Sequence, residues 1–476
     1  MDILHCSSEV APFSKTGGLA DVASALPEAL TRLGHKVTVV TPLYASIDRD
    51  KHGVRPTGRS FDVTLGGRTR NLEVFEAHLP QGTHVVLLGC ESLFGREELY
   101  GTRDGDYPDN HLRFAFFSAA VFRLMRSLRI RPSVLHCHDW QTGLVPAYNR
   151  LFHLDLCGTV LTVHNLAYQG LFPADVVPDI GLPWEIFNPE GVEFYGNVNF
   201  LKAGLVYSDR ITTVSPGYAG EILTEQFGCG LDGVLRGRGK DVVGILNGVD
   251  YQQWSPLTDK LIPDNYGPDD LSGKKACRQA LLGEFGLEPS FEGPVFGVVG
   301  RLAAQKGFDL LAEVLPDLVE MGAAVVILGT GERAVEENIS EAARRFPRNV
   351  SARIAYDNGL AHRIEAGSDF FLMPSRYEPC GLNQIYSMKY GTIPVVHAVG
   401  GLEDTVIDIK EEPERGTGLK FREFSAEAFL DALRRSVSLY ADKRAMDAVI
   451  RRGMDMDFSW EASAGAYVDL YEQTID

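Results

Sequence analysis

A chain of 476 residues, 45% hydrophobic and 23% charged, has room for two or three domains with real cores and is not of disordered composition. Its formal charge of −18 excludes non-specific adhesion to nucleic acid or an anionic membrane, so an anionic ligand must be met by a few locally placed cations. Seven cysteines with no C-x-x-C pair argue against a disulfide framework or structural zinc and point to a reducing cytoplasm. The opening Met1-Asp2-Ile3-Leu4-His5 lacks the basic and apolar regions of a secretory signal, and no apolar run reaches the ~18 residues of a membrane span.

The first predicted element is a short apolar strand over residues 3–6, followed by a loop over 7–18. A helix is expected from about Leu19 to Leu33, with Ala23, Leu26 and Leu30 on one face and Gly34 as its stop. The next strand covers 36–41. Strand, helix and strand in that order make a β-α-β unit and hence a parallel sheet. Further apolar runs at 134–136, 160–163 and 211–214 end in polar tails: His138-Asp139-Trp140, His164-Asn165 and Ser215-Pro216. Ligands of open α/β sheets sit beyond the carboxyl ends of strands, so these tails are candidate site positions.

A second series starts near Val243. Residues 245–250 close one strand, a polar Pro- and Gly-containing stretch follows over 251–274, and strands are predicted at 295–299, 324–328, 370–373 and 393–396. The reading is α/β with two doubly wound domains, 1–244 and 245–457. A last segment over 458–476 is expected to be helical and to pack back on the first domain. No solenoid-length repeat is visible.

Three strand-end loops carry chemistry. Lys15-Thr16-Gly17-Gly18 opens the first helix, where glycines allow close backbone approach and a helix start suits phosphate; it reads equally as a tight turn. Gly300-Arg301-Leu302-Ala303-Ala304-Gln305-Lys306-Gly307 puts two cations at a strand end, where a pyrophosphate would lie. Arg376-Tyr377-Glu378-Pro379-Cys380-Gly381-Leu382 sets a carboxylate before another helix start, there to bind sugar hydroxyls or merely to charge the helix N-terminus. His138 and His164 are either ligand contacts or structural histidines. Gly329-Thr330-Gly331-Glu332-Arg333-Ala334 fits G-x-G-x-x-A, but the acidic residue expected about 20 positions on is missing; the nearest later acid is Asp357. A nicotinamide enzyme is therefore a minor alternative.

Lys15-Thr16-Gly17-Gly18-Leu19, His138-Asp139-Trp140, Val163-His164-Asn165-Leu166-Ala167-Tyr168-Gln169-Gly170, Leu246-Asn247-Gly248-Val249-Asp250, Arg301 with Lys306, and Glu378-Pro379-Cys380-Gly381-Leu382 occur in this order over essentially the whole chain. Together they resemble bacterial glycogen synthase and its plant relative, starch synthase. The resemblance implies a GT-B fold, two Rossmann-like domains facing across a deep cleft, and retaining transfer of glucose from ADP-glucose or UDP-glucose to a growing α-1,4-glucan. Of the two, ADP-glucose is the expected donor. It implies no cofactor and no metal, and leaves monomer or homo-oligomer open.

By position, the resemblance assigns Arg301 and Lys306 to the donor diphosphate, with Lys15, Gly17 and Gly18 closing on it from the other domain. It assigns Glu378, with Cys380, Gly381 and Leu382 beside it, to the glucose. His164 is placed near the 6-hydroxyl and the reacting carbon, Asp139 and Asn247 in the sugar pocket, and Tyr356 against the adenine. Two positions depart from the pattern. Tyr386 stands where many related retaining enzymes carry a second glutamate, and Asn383 where a threonine is usual. A disaccharide-forming relative and a binding-only protein remain alternatives.

Overall fold

The computed structural model describes residues 1–102, 105–153 and 155–475. The chain forms two compact units, Met1–Gly248 together with the chain from Trp460 on, and Val249–Ser459. The units thus change over at 248/249 and 459/460, against 244/245 and 457/458 in the sequence reading.

The main sheet of the first unit has, among the described residues, nine strands: β1 (Asp2–Cys6), β2 (Lys36–Pro42), β3 (Arg55–Leu65), β4 (Arg68–His78), β5 (His84–Gly89), β6 (Val134–His138), β7 (Gly158–Val163), β8 (Arg210–Thr213) and β9 (Val242–Gly244). Their spatial order is β9-β8-β7-β6-β1-β2-β5-β4-β3. Pairing is parallel from β9 to β5 and antiparallel at β4 and β3. Burial accounts for the difference. β1, β6 and β7 are buried along nearly their whole length, as strands covered on both faces must be. β3 and β4 form an exposed hairpin whose two-residue turn, Gly66-Gly67, takes φ of 53° and 71°. Two consecutive left-handed residues match the twist of the strands they join.

The order reverses between β1 and β6, which leave from neighbouring positions in opposite directions. Their carboxyl-end loops therefore flank a crevice. The helix Gly18–Arg32 and the terminal helix Trp460–Ile475 pack together on this sheet: Trp460, Tyr467, Leu470 and Tyr471 join Ile3, Leu26, Leu30 and Val134 in one core. Ser463 ties the terminal helix to Leu246 O at 2.7 Å.

The second unit has six parallel strands: β10 (Val295–Val299), β11 (Ala324–Gly329), β12 (Val350–Ile354), β13 (Phe370–Met373), β14 (Ile393–His397) and β15 (Leu419–Phe421). The order β12-β11-β10-β13-β14-β15 is the Rossmann arrangement, with its reversal between β10 and β13. The loops after those two strands are the ones carrying Arg301, Lys306 and Glu378.

Candidate active site

In the first unit, the loop after β1 is organised by an acid. Glu9, 3% exposed, accepts hydrogen bonds from Thr16 N–H (2.5 Å), Thr16 Oγ1 (2.6 Å), Gly17 N–H (3.3 Å) and the Tyr100 hydroxyl (2.6 Å). These bonds fix the backbone that leads into the helix at Gly18. Gly17 and Gly18 have open space where a Cβ would stand, so a ligand can approach their backbone. Lys15 pairs with Asp21 at 2.7 Å, both about half exposed. Such a pair is worth ~0–1 kcal/mol, and an anion could take the lysine over.

Beside it, at the ends of β6 and β7, lies a cluster of imidazoles. His5 Nδ1 is 3.2 Å from His138 Nε2, and His138 Nδ1 is 3.0 Å from His164 Nε2. His136 is held by the Tyr471 hydroxyl at Nδ1 (2.7 Å) and by Thr162 Oγ1 at Nε2 (2.6 Å). Burial lowers His5 and His164 to about 3, and holds His136 and His138 well below the ordinary histidine range. All four are neutral at physiological pH. His5, His136 and His138 lie close enough to share a cation. Both nitrogens of His136 and of His138 are already hydrogen-bonded, however, and of the three only His5 has a ring nitrogen without a partner among the described residues.

Asp139 follows β6 with φ 55° and ψ −172°, a backbone conformation that is essentially glycine's and is strained for aspartate. Its Oδ1 accepts the backbone N–H of His164 at 2.7 Å, and the amide of Asn165 also donates to the carboxylate. Burial nevertheless pushes this carboxyl up to about 7. Asp139 thus anchors the His164 loop through the backbone. Asn247, 6% exposed, holds its place by N–H to Val214 O, and its Oδ1 has no partner among the described residues.

In the second unit, Lys306 Nζ lies 2.5 Å from Glu378 Oε2, which also accepts from Ser375 Oγ at 3.0 Å. Glu378 is buried and Lys306 about a quarter exposed. The pair forms because Gly307 (φ 71°) lets the two strand-end loops touch: a Cβ there would stand 1.8 Å from Pro374 O. Gln305 strengthens the join, donating to Tyr377 O and accepting Arg376 N–H through its carbonyl. Behind Glu378, Gly401 N–H donates to its carbonyl at 3.1 Å.

Family models divide the chain as its structure does. The starch synthase catalytic domain matches residues 2–237, and glycosyl transferases group 1 matches 287–451. A glycogen synthase of Anaeromyxobacter sp. (strain Fw109-5) is 52% identical over 99% of both chains, and one of Myxococcus xanthus is 49% identical over 100% of both. The chain belongs to the glycogen synthase family. The catalytic domain of starch synthase IV from Arabidopsis thaliana, solved with ADP and acarbose, superposes with a TM-score of 0.92 at 31% identity. That match covers 100% of this chain and 99% of the other. A sucrose-phosphate synthase from Thermosynechococcus elongatus, TM-score 0.62 at 19% identity, shares the fold. The fold is GT-B, and the activity is that of a retaining glucosyltransferase. Full-length membership in the glycogen synthase family sets aside the disaccharide-forming, nicotinamide and binding-only readings.

The geometry explains why the nicotinamide motif misleads. Gly329 and Gly331 are small because a Cβ on them would strike Gly300 O (2.0 Å) and Leu302 O (2.4 Å). The Gly331 amide is already taken by the Glu336 carboxylate at 2.8 Å. Arg301 is exposed after β10 and donates to Gln305 at 3.2 Å. Tyr356, 82% exposed after β12, offers an open ring face. Cys380 is a buried thiol, Gly381 takes φ 69°, and Leu382 precedes the helix Asn383–Lys389. Asn383 donates to Val299 O at 2.8 Å, so this departure serves to tie that helix to β10. Tyr386 stacks on Trp254 (3.9 Å, 7°), which stacks on His362 (3.6 Å, 13°). An aromatic, not a carboxylate, fits there.

Sequence reasoning missed Glu9, His5 and Trp254. Glu9 had a readable signal, a lone acid in the strand-to-helix loop before two glycines. His5 lay inside an apolar strand pattern, and Trp254 inside a stretch read as a polar connection.

Proposed function

We propose that the chain transfers glucose from ADP-glucose to the non-reducing end of an α-1,4-glucan, with the second unit holding the donor. The carrying observation is the Lys306–Glu378 pair at the reversal point of a Rossmann sheet. The ADP in the matching starch synthase supports adenine over uracil as the donor base. Among the described residues the two bonds to the Glu378 carboxylate, from Lys306 and Ser375, fall on Oε2, which leaves Oε1 for the hydroxyls of the bound glucose. Arg301 and Lys306 face the diphosphate, and Tyr356 stacks on the base.

Breaking the anomeric carbon–phosphate bond loads negative charge onto the departing ADP. Cations already in place stabilise that charge more as it develops, each by about 2.7–4 kcal/mol on the scale of a lost oxyanion donor. The protein supplies this charge itself, so no metal or cofactor is required. Of the first unit's residues, His164, Asp139 and Asn247 are assigned to the transferred sugar and Lys15, Gly17 and Gly18 to the phosphates. Retention proceeds on one face of the sugar, with the leaving phosphate accepting the acceptor hydroxyl's proton. Seven free thiols fit a cytoplasmic enzyme, and among the described residues no helix is long and apolar enough to cross a membrane.

The test is incorporation of label into glycogen from ADP-glucose and, separately, UDP-glucose, with a chelator present. Label from ADP-glucose alone is expected. Label from UDP-glucose alone overturns the donor, and loss of activity with chelator overturns metal independence.

A further inference from the structure

His5, His138 and His164 form one unbroken chain of ring-to-ring hydrogen bonds. Each neutral imidazole carries a single N–H. His138 stands in the middle with both nitrogens engaged, so its one proton settles the direction of the whole chain. If it sits on Nδ1, His138 donates to His164, and His5 must donate from Nδ1 to His138. If it sits on Nε2, His138 donates to His5, and His164 must donate from Nε2. No third arrangement makes both bonds. Burial and the neighbouring imidazoles keep His138 uncharged, which removes the case of a doubly protonated ring.

The two directions differ at the far end. His5 Nε2 is buried without a hydrogen-bond partner among the described residues. In the first direction it is a bare lone pair; in the second it is an orphaned N–H. Buried unpaired donors are rarer in proteins than under-satisfied acceptors. The other end, His164, is only half-buried, and Nδ1 is its one ring nitrogen outside the chain.

We infer that His5 and His138 are positioning residues that hold His164 with its proton on Nδ1, so that it presents a hydrogen-bond donor to an oxygen of the bound hexosyl group. The nature of that ligand rests on the proposed function; the direction of the chain does not. Hydrogen-bond partners of functional histidines are the usual means of fixing a tautomer.

The test is the nitrogen NMR spectrum of the full-length protein labelled with ¹⁵N-histidine, without substrate, near neutral pH. His5, His138 and His164 should each show a protonated Nδ1 and a bare Nε2. A proton on Nε2 of His164 overturns the inference. His5→Phe removes the donor that forces the direction. It should mix the two His164 tautomers and lower kcat about 10-fold with little change in KM, on the scale of outer-shell partners of ligating histidines. His5→Asn, which can donate from nearly the same place, should recover most of both. An unchanged His164 spectrum in His5→Phe overturns the inference. Should that variant not fold, the wild-type spectrum alone decides. A protonated Nδ1 in a protein that transfers no glucose would support the chain direction while defeating the functional reading.

Discussion

The Lys306 ammonium and the Glu378 carboxylate meet at 2.5 Å between the loops that follow β10 and β13. Glu378 is the more buried partner, so removing the lysine strands its charge. Lys306→Met should lower stability by about 1–3 kcal/mol, less than for a fully buried pair because solvent reaches the lysine. Lys306→Met with Glu378→Gln should recover most of that loss but none of the transfer activity. Urea unfolding and glucosyl incorporation on the wild type, Lys306→Met, Glu378→Gln and the double variant check this. Stability that simply adds across the two sites would mean the pair is not coupled.

Glu9 holds the Lys15–Gly18 loop by three bonds to Thr16 and Gly17. Glu9→Ala leaves those donors unpaired at a cost of about 1–3 kcal/mol. It should raise KM for ADP-glucose while the second unit stays folded. Glu9→Gln, keeping one acceptor oxygen, should fall between. Initial rates against donor concentration decide it, and an unmoved KM would remove this loop from the donor site.

Asp139 and the histidines pull stability in opposite directions with pH. The Asp139 carboxyl is raised from 3.8 to about 7, so the native state binds a proton that the unfolded chain has released. Its contribution therefore falls as pH rises through that window. His5 and His164 are lowered from 6.5 to about 3. Their contribution is fully present above 6.5 and lost as pH falls toward 3. With four neutral histidines of the cluster against two raised carboxyls, Asp139 and Glu365, acid should destabilise the protein overall. Asp139→Asn keeps the size and shape of the side chain and cannot ionise. Its stability relative to wild type should climb between about pH 4 and 7, by at most about 4 kcal/mol, and then level off. Denaturation series across that range test the shape, and a flat difference would place the carboxyl in its ordinary range.

Tyr386 lies face to face with Trp254, which lies face to face with His362. Tyr386→Glu gives up one stack and sets a carboxylate against the indole, costing about 2–4 kcal/mol. Tyr386→Phe keeps the ring and should change stability by less than about 1 kcal/mol. Thermal melts of the two variants distinguish a packing role from a missing ligand contact.

Most of the candidate site could be read because its residues follow strands. Val295–Val299 and Phe370–Met373 are short apolar runs between polar segments, so Lys306 and Glu378 announce themselves as strand-end residues. The hairpin of β3 and β4 went unread, although its alternation and Gly66-Gly67 turn were there to find. Trp254 went unread for another reason: its partners lie more than a hundred residues on, and nothing local marks it.

The amino-acid sequence by itself determined the alternation of strands and helices, the two-domain plan and the polar tails that chemistry could use, because each depends on neighbours a few residues apart. Only the tertiary structure decided that His5 stands across from His136 in the β1–β6 pairing, that it reaches His138, and that the terminal helix brings Tyr471 to His136. Parallel pairing joins strands remote in sequence, and register between them is set by the packing of the whole sheet. The direction of a hydrogen-bond chain built on that register follows from which buried atom is left without a partner.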